Sequence, residues 1–266
     1  MQIALNKINP VYHNWSYVNQ TRMMKPLLAF ATNVLDENSK DFTLSDDMQI
    51  KIRELTMTAK WNIELLLIGD AGLAKADSCL DRMKELTLKA MDDILTDEDR
   101  LIIKNEINSI VKDMERNAYE TENKVRGKLG LPLVKGYSTP FKRLNSDKDF
   151  TNYISKLYDQ AKKSGKKLDS DRADTVNEVW DSLQLMRPDV LGVDDLDVTT
   201  ADKARISFEK VNRAKKMIAA RRSRIERLIK SWVDQLDFAC LSTFKKPSNK
   251  LQNNYSQLLF TLEFYI

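Results

Sequence analysis

The chain has 266 residues, 42% of them hydrophobic and 31% charged, with a formal net charge of +4. That apolar share is enough for a packed core, which argues against wholesale disorder, and no apolar run approaches the ~20 residues of a membrane-spanning helix. Seven glycines and six prolines are too few to punctuate many tight turns. Sandwiches, βαβ folds and glycine-rich phosphate loops are therefore disfavoured, and a few long helices are expected.

At the N-terminus, Met1 to Gln20 shows no basic start, apolar core and small-residue cleavage site, so no cleaved secretory signal is visible. From Tyr17 to Leu35 apolar residues recur at helical spacing around Pro26, which predicts a kinked helix or one that forms on assembly. Residues 1–47 are expected to be partly disordered or assembly-dependent, with a polar linker from Asn38 to Asp47. Helical spacing resumes at Met48 and runs to about Ile68. Gly69-Asp70-Ala71-Gly72 has the composition of a break, yet the periodicity continues through it.

Leu73, Ala76, Leu80, Met83, Thr87, Ala90 and Ile94 step by three and four, the seam of a coiled coil. Thr96 then precedes three acids. Its side chain is placed to accept from the amide of Asp99, and the acids suit the positive end of a helix dipole. The helix opening there carries Ile103, Ile107, Ile110 and Met114 and is expected to end near Glu122. Gly127, Gly130, Pro132, Gly136 and Pro140 predict a loop or short hairpin from Lys124 to Leu144. Two shorter amphipathic helices follow, near Asp147 to Ser164 and Ser170 to Met186, closed by Pro188 and Gly192. A last long helix opens near Thr199 or Thr200, with Asp202 as a capping-box partner of Thr199. Its seam is Ala204, Phe208, Val211, Lys215, Ile218, Arg222, Ile225, Ile229, Trp232 and Leu236, apolar at eight of ten positions.

Little chemistry is on offer. His13 is the sole histidine, so catalytic triads and histidine-bearing metal sites are not expected. Cys79 and Cys240 form neither a CxxC nor a zinc spacing, and Cys79 falls among seam residues as a small apolar side chain. No dinucleotide, P-loop or nucleophile-elbow motif occurs. The carboxylates Asp92-Asp93, Asp97 to Asp99 and Asp194-Asp195-Asp197 read as helix caps and solvated loops rather than cation sites. Residues 213–230 hold Arg213, Lys215, Lys216, Arg221, Arg222, Arg224, Arg227 and Lys230 against Glu226 alone. Such a helix could lie along a phosphate backbone. It could equally face acid-rich helices of the same bundle or a neighbouring subunit, and the apolar seam running through it favours that second reading.

Three segments in order carry a resemblance: the run from Asp81 to Ala90 (DRMKELTLKA), the run from Leu95 to Arg100 (LTDEDR) and Asn105-Glu106-Ile107. Together with Leu196-Asp197-Val198-Thr199-Thr200 and the run from Ile218 to Glu226, they are similar to the corresponding helices of bacterial flagellin. The resemblance covers roughly residues 48–122 and 196–236. Ala219 stands where the family has glycine, two cysteines are present, and the family's polar terminal helix is not recognisable after Leu236.

The resemblance implies a mainly α fold, an elongated antiparallel helical coiled-coil rod with a small variable central domain. The expected segments are 1–47, rod helices at 48–123, the central domain at 124–196, a rod helix at 197–236 and a terminal segment at 237–266. The rod seam would include Leu73, Leu80, Met83, Ile103, Ile107, Ile110, Phe208, Val211, Ile218, Ile225, Ile229 and Trp232. It also implies a secreted structural subunit of the flagellar filament, exported by the type III apparatus with a chaperone and polymerising with itself or other flagellins. A hook-filament junction protein and a non-polymerising relative are alternatives, as is a nucleic-acid or acidic-partner binder acting through 213–230. No catalysis, cofactor, metal, small-molecule substrate or membrane span is expected. Arg82, Leu86 and Glu106 match the region of the family where a Toll-like innate receptor docks.

Overall fold

The computed structural model describes residues 46–134 and 144–243. His13, the segment around Pro26, Gly136, Pro140 and the tail beyond Thr243 lie outside the described residues. The protein is mainly α-helical, with no strand among the described residues. Its helices are α1 (Asp46–Lys89), α2 (Asp97–Leu129), α3 (Leu144–Ser164), α4 (Lys167–Gln184), α5 (Pro188–Leu191) and α6 (Ala201–Thr243). None of them is long and apolar enough to cross a membrane.

Packing divides the chain into two units, one of Asn62–Lys230 and one made from Met1–Trp61 and Ser231–Ile266. In the second unit Ile52, Ala59, Trp232 and Leu236 are buried. Asn62–Lys230 is the larger unit.

Within that unit α1 has no break at Gly69 to Gly72. The reason is tertiary. A Cβ built on Gly72 would stand 2.6 Å from the Met186 side chain and 2.7 Å from Thr121 Cγ2, so only glycine lets these segments approach so closely. The neighbouring Gly72 carbonyl accepts from Asn117 Nδ2 at 2.9 Å. Gly69 sits against Val179 and Ser182 of α4. Helical spacing through the glycines was the better guide than their composition.

Ion pairs show that α1 and α6 run antiparallel. Asp70 pairs with Arg222, Asp77 and Asp81 with Lys215, and the Lys84 ammonium lies over the Phe208 ring. Helix α2 folds back on α1 in the same sense, with Arg82 joined to Glu106 and Glu64 to Lys128. Leu73, Ala76, Leu80, Met83, Ala90, Ile103, Ile107, Met114, Ala204, Val211, Ile218 and Ile225 are buried. Ile110, Phe208 and Ile229 are half-buried. Ile94, at the same sequence spacing, lies beyond the end of α1 and is 85% exposed. Burying the apolar members of these stripes supplies the main favourable term for the unit.

Helix ends follow their local chemistry, with two departures from expectation. Thr96 caps α2 in a capping box with Asp99. Yet α2 continues past Glu122 to Leu129, because Val125, Arg126 and Leu129 extend its buried face and Gly127 has open space beside it. Gly130, at φ 67, ends it, and the Leu131 amide closes the turn on the Arg126 carbonyl at 2.9 Å. At α6 the capping hydroxyl is that of Thr200, which accepts from the Lys203 amide at 3.3 Å. Thr199 instead donates its amide to Asp197, and Asp202 pairs with Arg205.

Candidate interaction surface

The helical spacing of α1 puts Arg82, Glu85, Leu86 and Lys89 on one face, and that of α2 puts Asp99, Ile102, Ile103 and Glu106 opposite. These residues line an open groove of about 350 Å³. Arg82 spans it, donating from Nε (2.8 Å) and Nη2 (2.5 Å) to one Glu106 oxygen and from Nη1 (3.0 Å) to Glu85. The Glu106 and Glu85 carboxylates hold the Arg82 pKa above its ordinary value. Leu86 is 4% exposed and forms part of the floor.

Arg82, Leu86 and Glu106 therefore meet in one groove. Glu85, Lys89, Asp99 and Ile102 also line it; Asp99 was read from sequence only as a capping partner, and the other three were not singled out. The signal was present: Glu85, Lys89 and Ile102 stand three or four residues from Arg82, Leu86 and Glu106. At this end Leu88, Ile94, Leu101 and Ile102 are exposed apolar side chains. The turn they flank is fixed by Arg100, which donates to the Ala90 carbonyl and, at 2.8 Å, to that of Asp92.

The basic stretch of α6 divides into two sets. Lys215, Arg221, Arg222 and Arg224 face acids of other helices: Lys215 and Arg222 take the α1 carboxylates, while Arg221 and Arg224 share Glu178 of α4. Burial disfavours the Lys215 ammonium and the Arg222 guanidinium, but the hydrogen bonds they donate to their aspartates outweigh it and raise both pKa values. Arg213, Lys216, Arg227 and Lys230 are exposed on the outer side.

The carboxylate clusters have structural partners. Asp92 accepts from the Ile94 amide, Asp195 pairs with Lys210, and Asp197 accepts from the Thr199 amide and pairs with Lys203. Among the described residues no group of three His, Cys, Asp or Glu side chains could hold a metal ion. Cys79 is half-buried rather than fully buried, and that burial, with Asp113 nearby, raises its thiol pKa, which works against thiolate chemistry.

What this arrangement offers is a relief of charged and exposed apolar side chains along packed helices. Compared with known proteins, the chain matches no family model, no curated protein and no solved structure.

Proposed function

We propose that this chain is a structural subunit of the flagellin type, exported and assembled into a bacterial flagellar filament, with no catalytic role. The observation that carries the reading is the antiparallel pairing of α1 with α6 through Asp70–Arg222 and Asp77–Lys215. It joins the two separated stretches of sequence that resemble flagellin. A coiled-coil rod built on that pairing would leave helix surface free along its length for neighbouring copies. Leu88, Ile94, Leu101 and Ile102 supply apolar surface of the kind such contacts bury. The groove at Arg82, Leu86 and Glu106 would then be the receptor-facing part of the rod, as the resemblance implies.

The test is a polymerisation trial of the full chain, alone and with flagellin seeds, followed by electron microscopy and antibody labelling of cells. Filaments, or label along the filament, are expected. Label at the filament base alone would move the assignment to a junction protein. Label confined to the cell interior, without polymers, would overturn the reading.

The outward set Arg213, Lys216, Arg227 and Lys230 favours a second reading, a polyanion binder. Salt-sensitive retention on duplex DNA would support it, and no retention at low salt would discard it.

A further inference from the structure

The contact between α1 and α6 poses a problem that its apolar residues do not solve. On α1 the buried positions Leu73 and Leu80, and likewise Ala76 and Met83, repeat every seven residues. On α6 so do Ala204, Val211, Ile218 and Ile225. A seam with that period packs almost as well after one helix slides by seven residues, about 10 Å, along the other. Apolar burial alone leaves the register open.

The charged residues do not share this indifference. Arg222 donates to Asp70 at 2.9 Å and 3.4 Å. Seven residues forward on α1 and seven back on α6, Lys215 meets Asp77 at 2.7 Å, with Asp81 at the same distance. A further step brings the Lys84 ammonium to 5.8 Å from the centre of the Phe208 ring. The same stepping sets Ile63 opposite Ile229. Two acid–base rungs are thus bracketed by rungs of other kinds.

A slide of one heptad in either direction breaks this order. One direction keeps an acid–base rung, Asp70 with Lys215, but sets Arg222 against Ile63 and Asp77 against Phe208. The other sets Asp70 against Ile229 and Lys84 against Lys215. Asp70 is only 5% exposed, so water cannot readily replace a lost partner.

We propose that the rungs Asp70–Arg222 and Asp77–Lys215 select the register of α1 against α6, while the apolar seam supplies the attraction. Polar side chains at single seam positions are known to set register at some cost in stability. This inference rests on the contacts of Asn62–Lys230 and stands or falls apart from the flagellar reading.

The experiment uses the full chain with Cys79→Ser and Cys240→Ser, spin-labelled through Ser78→Cys and Lys203→Cys at exposed positions. Their offset along the helix axes is about 16 Å in the native register, and about 27 Å or about 6 Å after a slide in one direction or the other. Pulsed dipolar spectroscopy then reads the separation of the two helices along their axes. The parent should give one distance. A fourfold variant, Asp70→Leu, Asp77→Leu, Lys215→Leu and Arg222→Leu, should keep its helical circular dichroism and gain a second distance population. A different pair, Asp70→Leu with Lys84→Asp, satisfies the slid register better than the native one, because Asp77 then meets Arg222 and the new acid meets Lys215. It should give a single, shifted distance. If both variants keep the parental distance alone, the rungs do not choose the register. Loss of helical signal in the fourfold variant would also overturn the proposal, since the rungs would then hold the fold together rather than align it.

Discussion

Arginine–carboxylate pairs occur in two settings in Asn62–Lys230, and they do different work in each. At the corner of α2, α3 and α4, Arg126 is 2% exposed; it donates to Glu122 at 2.8 Å, to the Pro132 carbonyl at 2.8 Å and to Asp149 at 3.1 Å. Its guanidinium also lies 5.3 Å from the Phe150 ring, which stacks on Trp180 at 4.4 Å. Its partners lie within about one helix turn or in the next loop and helix. On the face between α1 and α6, the Arg222 side chain is 20% exposed and its partner Asp70 is 152 residues away in sequence. The corner shows a charge desolvated and held on several sides, whose loss leaves polar groups stranded. The helix face sets the buried Asp70 and the part-exposed Asp77, Lys215 and Arg222 beside an apolar seam, where their proposed role is to choose the register.

Arg126→Met should cost the most. It strands the buried Glu122 carboxylate, and removal of one partner of a buried pair costs about 3–5 kcal/mol. The urea midpoint should fall accordingly at unchanged slope. Adding Glu122→Leu should recover most of the loss, because an apolar pair can replace a buried ion pair with little penalty. If the single variant is as stable as the parent, the corner holds no such stranded charge and the contrast collapses.

The two settings were unequally legible in the sequence. The seam was readable because Leu80, Met83, Val211 and Ile225 recur at a helical period, and Thr96–Asp99 because a capping box has a fixed local spacing. Lys215 and Arg222 stood out as the polar seam positions, and facing acidic helices was a foreseeable role for them. Which acids they meet was not readable, since that depends on bringing together helices more than 130 residues apart. The corner hid for the opposite reason. Gly127, Gly130 and Pro132 suggested a loop from Lys124, whereas the Glu122–Arg126 pair and the buried Val125 and Leu129 carry the helix on to Gly130. Gly72 did not mislead, because helical spacing ran through it; what the sequence could not show is that the glycine is there to admit Met186 and Thr121.

That close approach gives the next test, on the side of the comparison governed by packing between remote segments. Gly72→Ala places a methyl 2.7 Å from Thr121 Cγ2 and 2.6 Å from Met186. The Met186 side chain can swing aside, but Thr121 is β-branched and buried. Overpacking of this kind costs about 1–3 kcal/mol, read as a lower urea midpoint. Thr121→Ser removes the offending methyl and should relieve much of the loss in the double variant. Additive losses instead would mean that Thr121 is not the obstacle.

A smaller effect is expected where the interaction is both local and exposed. Thr96→Ala removes the hydroxyl that accepts from the Asp99 amide at 3.2 Å. N-cap losses of this type cost about 1 kcal/mol, so the midpoint should shift less than for Gly72→Ala. Hydrogen exchange should quicken first at the amides of Asp97 to Arg100, while those of Met114 and Val125 stay protected.

The smallest effect separates the settings by pH. The Thr199 amide, then Lys203, hold the Asp197 carboxyl well below its ordinary 3.8, and the Lys210 ammonium lowers that of Asp195. A depressed carboxylate contributes stability that is present in full above its unfolded pKa and lost as pH falls through the folded value. Stability should therefore be insensitive to these groups from neutrality down to about pH 4 and decline below it. Both are surface pairs, 40% and 70% exposed on the acid side, so screening keeps the decline shallow and 1 M salt should flatten it further. Asp197→Asn should lower stability slightly at pH 7 and reduce the slope between pH 4 and pH 2. An unchanged slope in that variant would mean that the acid sensitivity arises at buried pairs instead, and the line drawn between exposed and desolvated charges would have to move.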